Sequence, residues 1–300
     1  MAFDGMADLV ILAGATGDLG GRIARALRER GATVRAAIRP GTAADRVEPL
    51  RRLGVEVIEV DFDDAPALTG ACRGAVCVVS ALSGLEPVIV DAQTRLLDAA
   101  VAAGVPRFIP SDFSVDYTAL PVGSNRNFDL RRRFRERVDA APIRATSIFN
   151  GAFMDMLAGQ MPLIAKPIRR VLYWDSPDRR FAVTTKDDTA AYTAAAALDP
   201  EAPRDLRVAG SETSSRDLAA VMTEVTGRRY EVLRAGSLKG LARLIRVVRR
   251  LFPQRGEVFP AWQGMQYLHN MFSGRAPSAP ADNDRYPGMR WTTVRELLSR

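Results

Sequence analysis

Histidine occurs once in this chain of 300 residues and cysteine twice. A zinc site needs several such ligands, so a His/Cys metal centre is excluded and no metal is expected. Lysine is scarce too. Lys166, Lys186 and Lys239 are the only ones, so nearly all the basic charge behind the net +7 is arginine. No window of about eighteen uninterrupted apolar residues exists, which excludes a spanning helix. The first residues carry Asp4 and Asp8 where a secretory signal would be basic and then apolar. Cys72 and Cys77 fall in or beside an apolar run and read as small buried hydrophobes of a reducing compartment, so a cytoplasmic protein is expected. Zinc-finger spacing and aromatic RNA-binding patterns are both missing, so nucleic acid is not an expected partner. A modest positive field suits a phosphorylated small molecule.

What is present begins at Leu9. Leu9 to Ala13 is apolar throughout and reads as a strand buried on both faces. Gly14, Gly17 and Gly20 open a turn, and Leu19, Ile23 and Leu27 then recur at helical spacing. Strand, glycine turn and helix are the setting of a dinucleotide-binding turn. Glycines at 14 and 17 let the backbone come close to a pyrophosphate, and one at 20 lets the helix sit close to the strand. The N–H groups that open the helix have no partner inside it and favour an anion. Gly14, Thr16, Gly17, Asp18, Leu19 and Gly20 are therefore candidate cofactor contacts.

The βα alternation continues: strands at Thr33–Ile38, 55–60, 76–80 and 107–110, a first helix ending near Arg30 with Gly31 as its cap, and a helix running from Pro87 to Gly104. This predicts a doubly wound, mainly parallel α/β sheet of the Rossmann type. After the second strand an NAD-selective fold would carry an acid; here stands Arg39, whose fork suits a 2′-phosphate, and NADP(H) is the expected cofactor. Arg46 is either a second phosphate contact or a surface residue. Asp61 is a candidate for the adenine region, and Asp63 or Asp64 caps the next helix. Ligands lie beyond the carboxyl ends of parallel strands. That places Ser80, Ala81 and Leu82 along the cofactor, with Ser111, Asp112 and Phe113 after the fifth strand.

Phe128–Asp139 reads as a helix with a Leu130, Phe134, Val138 core stripe, bordered by Arg131 and Arg135, with Arg132, Arg133 and Arg137 facing water. A sixth strand over 143–149 leads to Asn150, Gly151 and Phe153. Beyond it Pro162, Pro167 and Pro177 interrupt the pattern. Residues 1–155, with return segments at about 181–210, form the expected nucleotide domain; 156–180 and 211–300 form a smaller substrate domain. Leu241–Phe252 is an amphipathic helix with Leu241, Leu244, Ile245, Val248 and Phe252 on one side and arginines on the other. It is expected to pack on its own domain, with no membrane partner. The aromatic stretch 253–274 either lines a cleft or fills a core, and His269 within it reads as structural. The 275–284 segment reads as a loop.

Several motifs then coincide. The Gly14-Ala15-Thr16-Gly17 turn, Arg39, and Arg107-Phe108-Ile109-Pro110-Ser111-Asp112-Phe113 resemble the isoflavone reductase-like branch of the NmrA-like atypical short-chain dehydrogenases, whose strand-five motif usually ends P-S-E-F. Lys186-Asp187-Asp188-Thr189 and Tyr286-Pro287-Gly288-Met289-Arg290-Trp291-Thr292-Thr293-Val294 resemble two further motifs of that family. The resemblance implies a bilobed NADPH-dependent reductase passing hydride to a small aromatic, phenylpropanoid-like substrate in the cleft between lobes, as a monomer or homodimer. Phe113 and the Asn150–Phe153 turn would then position nicotinamide and substrate. The family's catalytic lysine, in a pattern like F-E-x-K, is replaced here by Arg131 in Phe128-Asp129-Leu130-Arg131. Arginine holds or polarises an oxygen but does not shuttle a proton. No Tyr-x-x-x-Lys pair is present either. Tyr117, Asp112 or a water is left as proton donor, with Tyr117 alternatively a loop anchor. The rival reading is a catalytically silent NADP(H)-sensing regulator.

Overall fold

The computed structural model describes residues 8–159, 161, 163–277, 280 and 282–299. Asp4, Pro162 and part of the 275–284 loop lie outside these residues. In chain order the elements are β1 (Leu9–Ala13), α1 (Asp18–Glu29), β2 (Thr33–Ile38), α2 (Ala44–Arg52), β3 (Glu56–Glu59), α3 (Ala65–Cys72), β4 (Cys77–Ser80), a π-helical stretch Pro87–Ala92 running into α4 (Gln93–Ala102), β5 (Arg107–Ile109) and α5 (Arg126–Ala140). There follow β6 (Arg144–Ala145), β7 (Ser147–Phe149), β8 (Ala152–Phe153), β9 (Ile164–Ala165), β10 (Arg170–Trp174), β11 (Phe181–Thr184), α6 (Lys186–Leu198), β12 (Asp205–Arg207), β13 (Ser211–Thr213), α7 (Ser215–Thr226), β14 (Glu231–Gly236), α8 (Leu238–Leu251), α9 (Ala261–Ser273) and α10 (Val294–Leu298).

The chain divides into two compact units. The first holds Met1–Asp112, Leu130–Ile148 and Thr189–Leu206; the second holds Phe113–Asp129, Phe149–Asp188 and Arg207–Arg300. These bounds depart from the expected domains. The chain enters the second unit at Phe113, only Thr189–Leu206 of the return segment belongs to the first, and the second unit is no smaller than the first.

In the first unit six strands form one sheet in the order β3-β2-β1-β4-β5-β6, and every pair in it is parallel. This is the doubly wound order, in which the chain reverses direction between β1 and β4. Both faces are covered, so β1 and β4 are buried along nearly their whole length, as their sequences, apolar but for Ser80 at the end of β4, require. Asp64 caps α3 by accepting the Ala67 N–H at 3.0 Å. Cys72 and Cys77 are free and buried, and burial pushes their thiols up to about 11 and about 12.

Two local expectations fail for physical reasons. The run 143–149 is not one strand. β5 has three residues, so the parallel ladder ends after Ala145; the Thr146 N–H still reaches the Phe108 carbonyl, and β7 then pairs with β12. The run from Pro87 opens as π-helix, not α-helix.

The second unit has two three-stranded sheets, β14-β10-β9 and β13-β11-β8. Its core joins Met154, Leu157, Val171, Trp174, Phe181, Leu218, Leu268 and Phe272. Trp262, Met271 and Phe272 of the aromatic stretch are buried, so this segment chiefly fills a core; Phe259 is exposed. Two of the sequence motifs meet here. Asp188 accepts the Thr292 N–H at 2.8 Å and its hydroxyl at 3.2 Å. Thr293 and Glu296 then form a reciprocal cap on α10.

Candidate functional site

The glycine turn is built as its spacing requires. Gly14 has φ +81°, and a Cβ on it would lie 2.6 Å from the Ala81 carbonyl oxygen. A Cβ on Gly20 would lie 2.1 Å from the Gly14 carbonyl oxygen, inside any tolerable contact. The Gly17 N–H closes the turn onto that same carbonyl at 3.0 Å. Gly17 is the N-cap of α1, and no side chain caps it. The opening amides of α1 are therefore kept clear of competing side-chain oxygens, with Thr16 half-buried and Gly17 and Asp18 exposed beside them. Asp18 is paired with Arg22 at 2.8 Å, which offsets its charge at the anion end of the helix.

Arg39 is exposed at the end of β2 and makes no ion pair among the described residues. Arg46 donates to the Thr16 carbonyl at 3.2 Å, which brings a second guanidinium to the turn. Across the sheet, Ser80 is fully buried and its Oγ has no partner among the described residues. Leu82 is half-buried, and its carbonyl accepts the Ser111 hydroxyl at 2.6 Å. A tight glycine cradle, an uncapped helix start, an exposed Arg39 and an unpaired buried hydroxyl suit a phosphorylated dinucleotide.

Ser111 is held by three elements at once. Its N–H donates to Gln93 Oε1 at 3.1 Å, its hydroxyl goes to Leu82, and its carbonyl accepts Arg131 Nε at 3.0 Å. Gln93 also donates to the Ile89 carbonyl at 2.7 Å and is buried. Sequence reasoning missed it. The signal was a carboxamide on the Ile89–Leu96 face, where every neighbour is apolar. Asp112 is buried and accepts the Ser147 hydroxyl at 2.6 Å; Ser147 in turn accepts Arg204 at 2.6 Å. Arg132, expected in water, is half-buried.

The remaining candidates lie in the second unit. Tyr117 is fully buried, with Phe128 stacked at 5.9 Å and Phe149 edge-on at 5.5 Å, which is the setting of a loop anchor. Phe113 is buried and Phe153 half-buried. Gly151 has φ +68°, and a Cβ there would meet the Ala182 carbonyl oxygen at 2.3 Å. Asn150 is fully buried, and both polar atoms of its side chain are unpaired among the described residues. His269 is half-buried and burial lowers its pKa, so the ring is neutral near pH 7. The described residues hold no cluster of metal-ligating side chains. No helix among them is long and apolar enough to cross a membrane.

The NmrA-like family model matches residues 6–258. The chain belongs to the NmrA-like family. Pinoresinol reductase 1 of Arabidopsis thaliana is 30% identical over 242 residues, 74% of this chain and 75% of the relative. Phenylcoumaran benzylic ether reductase PT1 of Pinus taeda is 25% identical over 316 residues, 97% of each chain. Among solved structures, AtPrR2 with NADP+ and (+)-pinoresinol superposes with a TM-score of 0.81 at 23% identity, covering 98% of this chain and 99% of that one. An isoflavone reductase gives 0.83 at 20% identity over 98% and 99%. At that identity the superpositions speak for the Rossmann-type fold alone.

Proposed function

We propose that this NmrA-like chain is an NADPH-dependent reductase of a small aromatic, phenylpropanoid-like substrate. Its similarity to pinoresinol and benzylic ether reductases supports that chemistry. The observation that carries the cofactor assignment is the cradle made by Gly14, Gly17 and Gly20, with Arg39 where an acid would repel a 2′-phosphate. Gly14, Thr16, Gly17, Asp18, Leu19 and Gly20 hold the diphosphate, and Arg39 and Arg46 hold the 2′-phosphate. Ser80, Ala81, Leu82 and Ser111 line the ribose and nicotinamide side. Asn150 is kept as a ligand contact because its buried amide needs a partner; Phe113, Gly151 and Phe153 are assigned with it on the family resemblance. NADPH, when bound, supplies the hydride.

Arg131 is the chain's own electrophilic group. Its Nε is anchored on the Ser111 carbonyl, so the guanidinium plane is fixed beside the end of β5. A fixed cation there stabilises negative charge growing on a substrate oxygen and stays protonated throughout. Asp112 and Tyr117 are both enclosed by the protein, so we assign the proton to water. The buried thiols suit a reducing compartment, and we place the chain in the cytoplasm.

The test is NADPH consumption over a panel of aromatic benzylic ethers, alkenes and ketones. Arg131→Ala is expected to lower kcat about 100-fold, the usual loss of one oxyanion donor, with cofactor affinity unchanged. Saturable NADPH binding with no turnover on any member would instead favour the NADP(H)-sensing regulator.

A further inference from the structure

The amphipathic helix α8 does not use its apolar side as expected. Of that side only Leu241 and Ile245 join the core, against α9. Leu244, Val247 and Leu251, spaced three and four apart, form a second line that stays 48%, 53% and 64% exposed. Phe252, just past the helix end, is 61% exposed. Beside it runs a third line at the same helical spacing, Lys239, Arg243, Arg246 and Arg250, all exposed. None of these four has an ion-pair partner among the described residues. From Leu238 to Gly256 the sequence contains no acid, and Arg249 and Arg255 add to the charge. Arg249 lies over the Trp262 ring at 5.1 Å, so its stem is spent on packing.

We propose that α8 is an interfacial helix by which this chain docks on a membrane surface rich in anionic lipid headgroups. Two adjoining stripes, one apolar and one cationic, match the two levels of such a surface. An apolar line over about 10 Å of helix enters the boundary between headgroups and acyl chains, and the adjoining line of cations meets the phosphates above it. Long arginine stems reach from one level to the other. The charge is of one sign and unneutralised by the protein, so its complement is a negative surface. The cytoplasmic leaflet carries such a surface. Exposed phenylalanines at 252 and 259 add apolar surface of the kind that an interfacial segment buries.

The experiment is co-sedimentation of the full chain with vesicles of phosphatidylcholine alone and of phosphatidylcholine mixed with phosphatidylglycerol. Two variants accompany it, Arg243→Glu/Arg246→Glu/Arg250→Glu and Val247→Asp/Leu251→Asp. All substituted side chains are exposed, and folding is checked by circular dichroism and by NADPH titration. The wild type is expected to bind the anionic vesicles and release them at high salt. Each arginine lost should weaken binding about five-fold, so the charge variant loses at least about 100-fold. The aspartate variant should fail to bind although its arginines remain. Failure of the wild type to bind anionic vesicles overturns the proposal, as does equal binding by either folded variant. A dimer in light scattering that Val247→Asp/Leu251→Asp dissolves, without vesicle binding, would also overturn it and assign the face to a second copy. Binding to an acidic polypeptide but to no vesicle would overturn it in favour of a protein partner.

Discussion

Helices α5 and α8 are 15 and 14 residues long, both amphipathic and both rich in arginine. In α5 the apolar stripe Leu130, Phe134 and Val138 is buried, and Phe134 packs on Phe108 at 6.1 Å between ring centroids. Its arginines have partners brought from elsewhere in the chain. Arg133 meets Glu86 at 2.7 Å, and Arg135 forks onto Asp205 at 2.7 and 3.1 Å. In α8 the nearest acids in sequence lie outside the helix, and half of its apolar side faces solvent. Local pattern thus defines a helix and its faces. Whether a face is buried depends on acids and apolar residues supplied by distant segments.

The sharpest contrast is in the apolar residues. Phe134→Ala should cost about 3–5 kcal/mol in urea unfolding, the usual loss for a buried aromatic ring. Leu251→Ala should stay within about 0.5 kcal/mol of wild type. Equal losses at the two sites would erase the distinction. The arginines repeat it on a smaller scale. Arg135→Ala breaks a largely buried forked pair and should cost about 1.5–3 kcal/mol, while Arg250→Ala should leave stability unchanged in the same assay.

The same reasoning explains which parts of the molecule were legible in the sequence. The parallel sheet was, because β1 and β4 are almost wholly apolar on both faces and β1 runs straight into the glycine turn. The glycine turn was, because a Cβ on Gly20 would lie 2.1 Å from the Gly14 carbonyl oxygen, which only glycine avoids. Thr33–Ile38 was placed to the residue. Hidden features depend on contacts across long sequence separations. The break at Thr146 follows from the length of β5, not from anything in 143–149. The grip of Gln93 on Ser111 joins residues eighteen apart, from the start of α4 just after the π-helical stretch. The units exchange chain at Asp112 and again at Ile148, where the sequence shows no linker composition. Tyr117 looked equally able to donate a proton or anchor a loop until its rings of neighbours were known.

The central claim is that the first crossover grips a diphosphate and that Arg39 selects the phosphorylated adenosine. Calorimetric titration of wild type and Arg39→Ala with NADPH and with NADH tests it most directly. Saturable NADPH binding is expected, with NADH about 10–100-fold weaker, the worth of one charge-assisted phosphate contact. Arg39→Ala should remove most of that difference by weakening NADPH alone. No saturable NADPH signal, or NADH binding as tightly as NADPH to the wild type, would contradict the account.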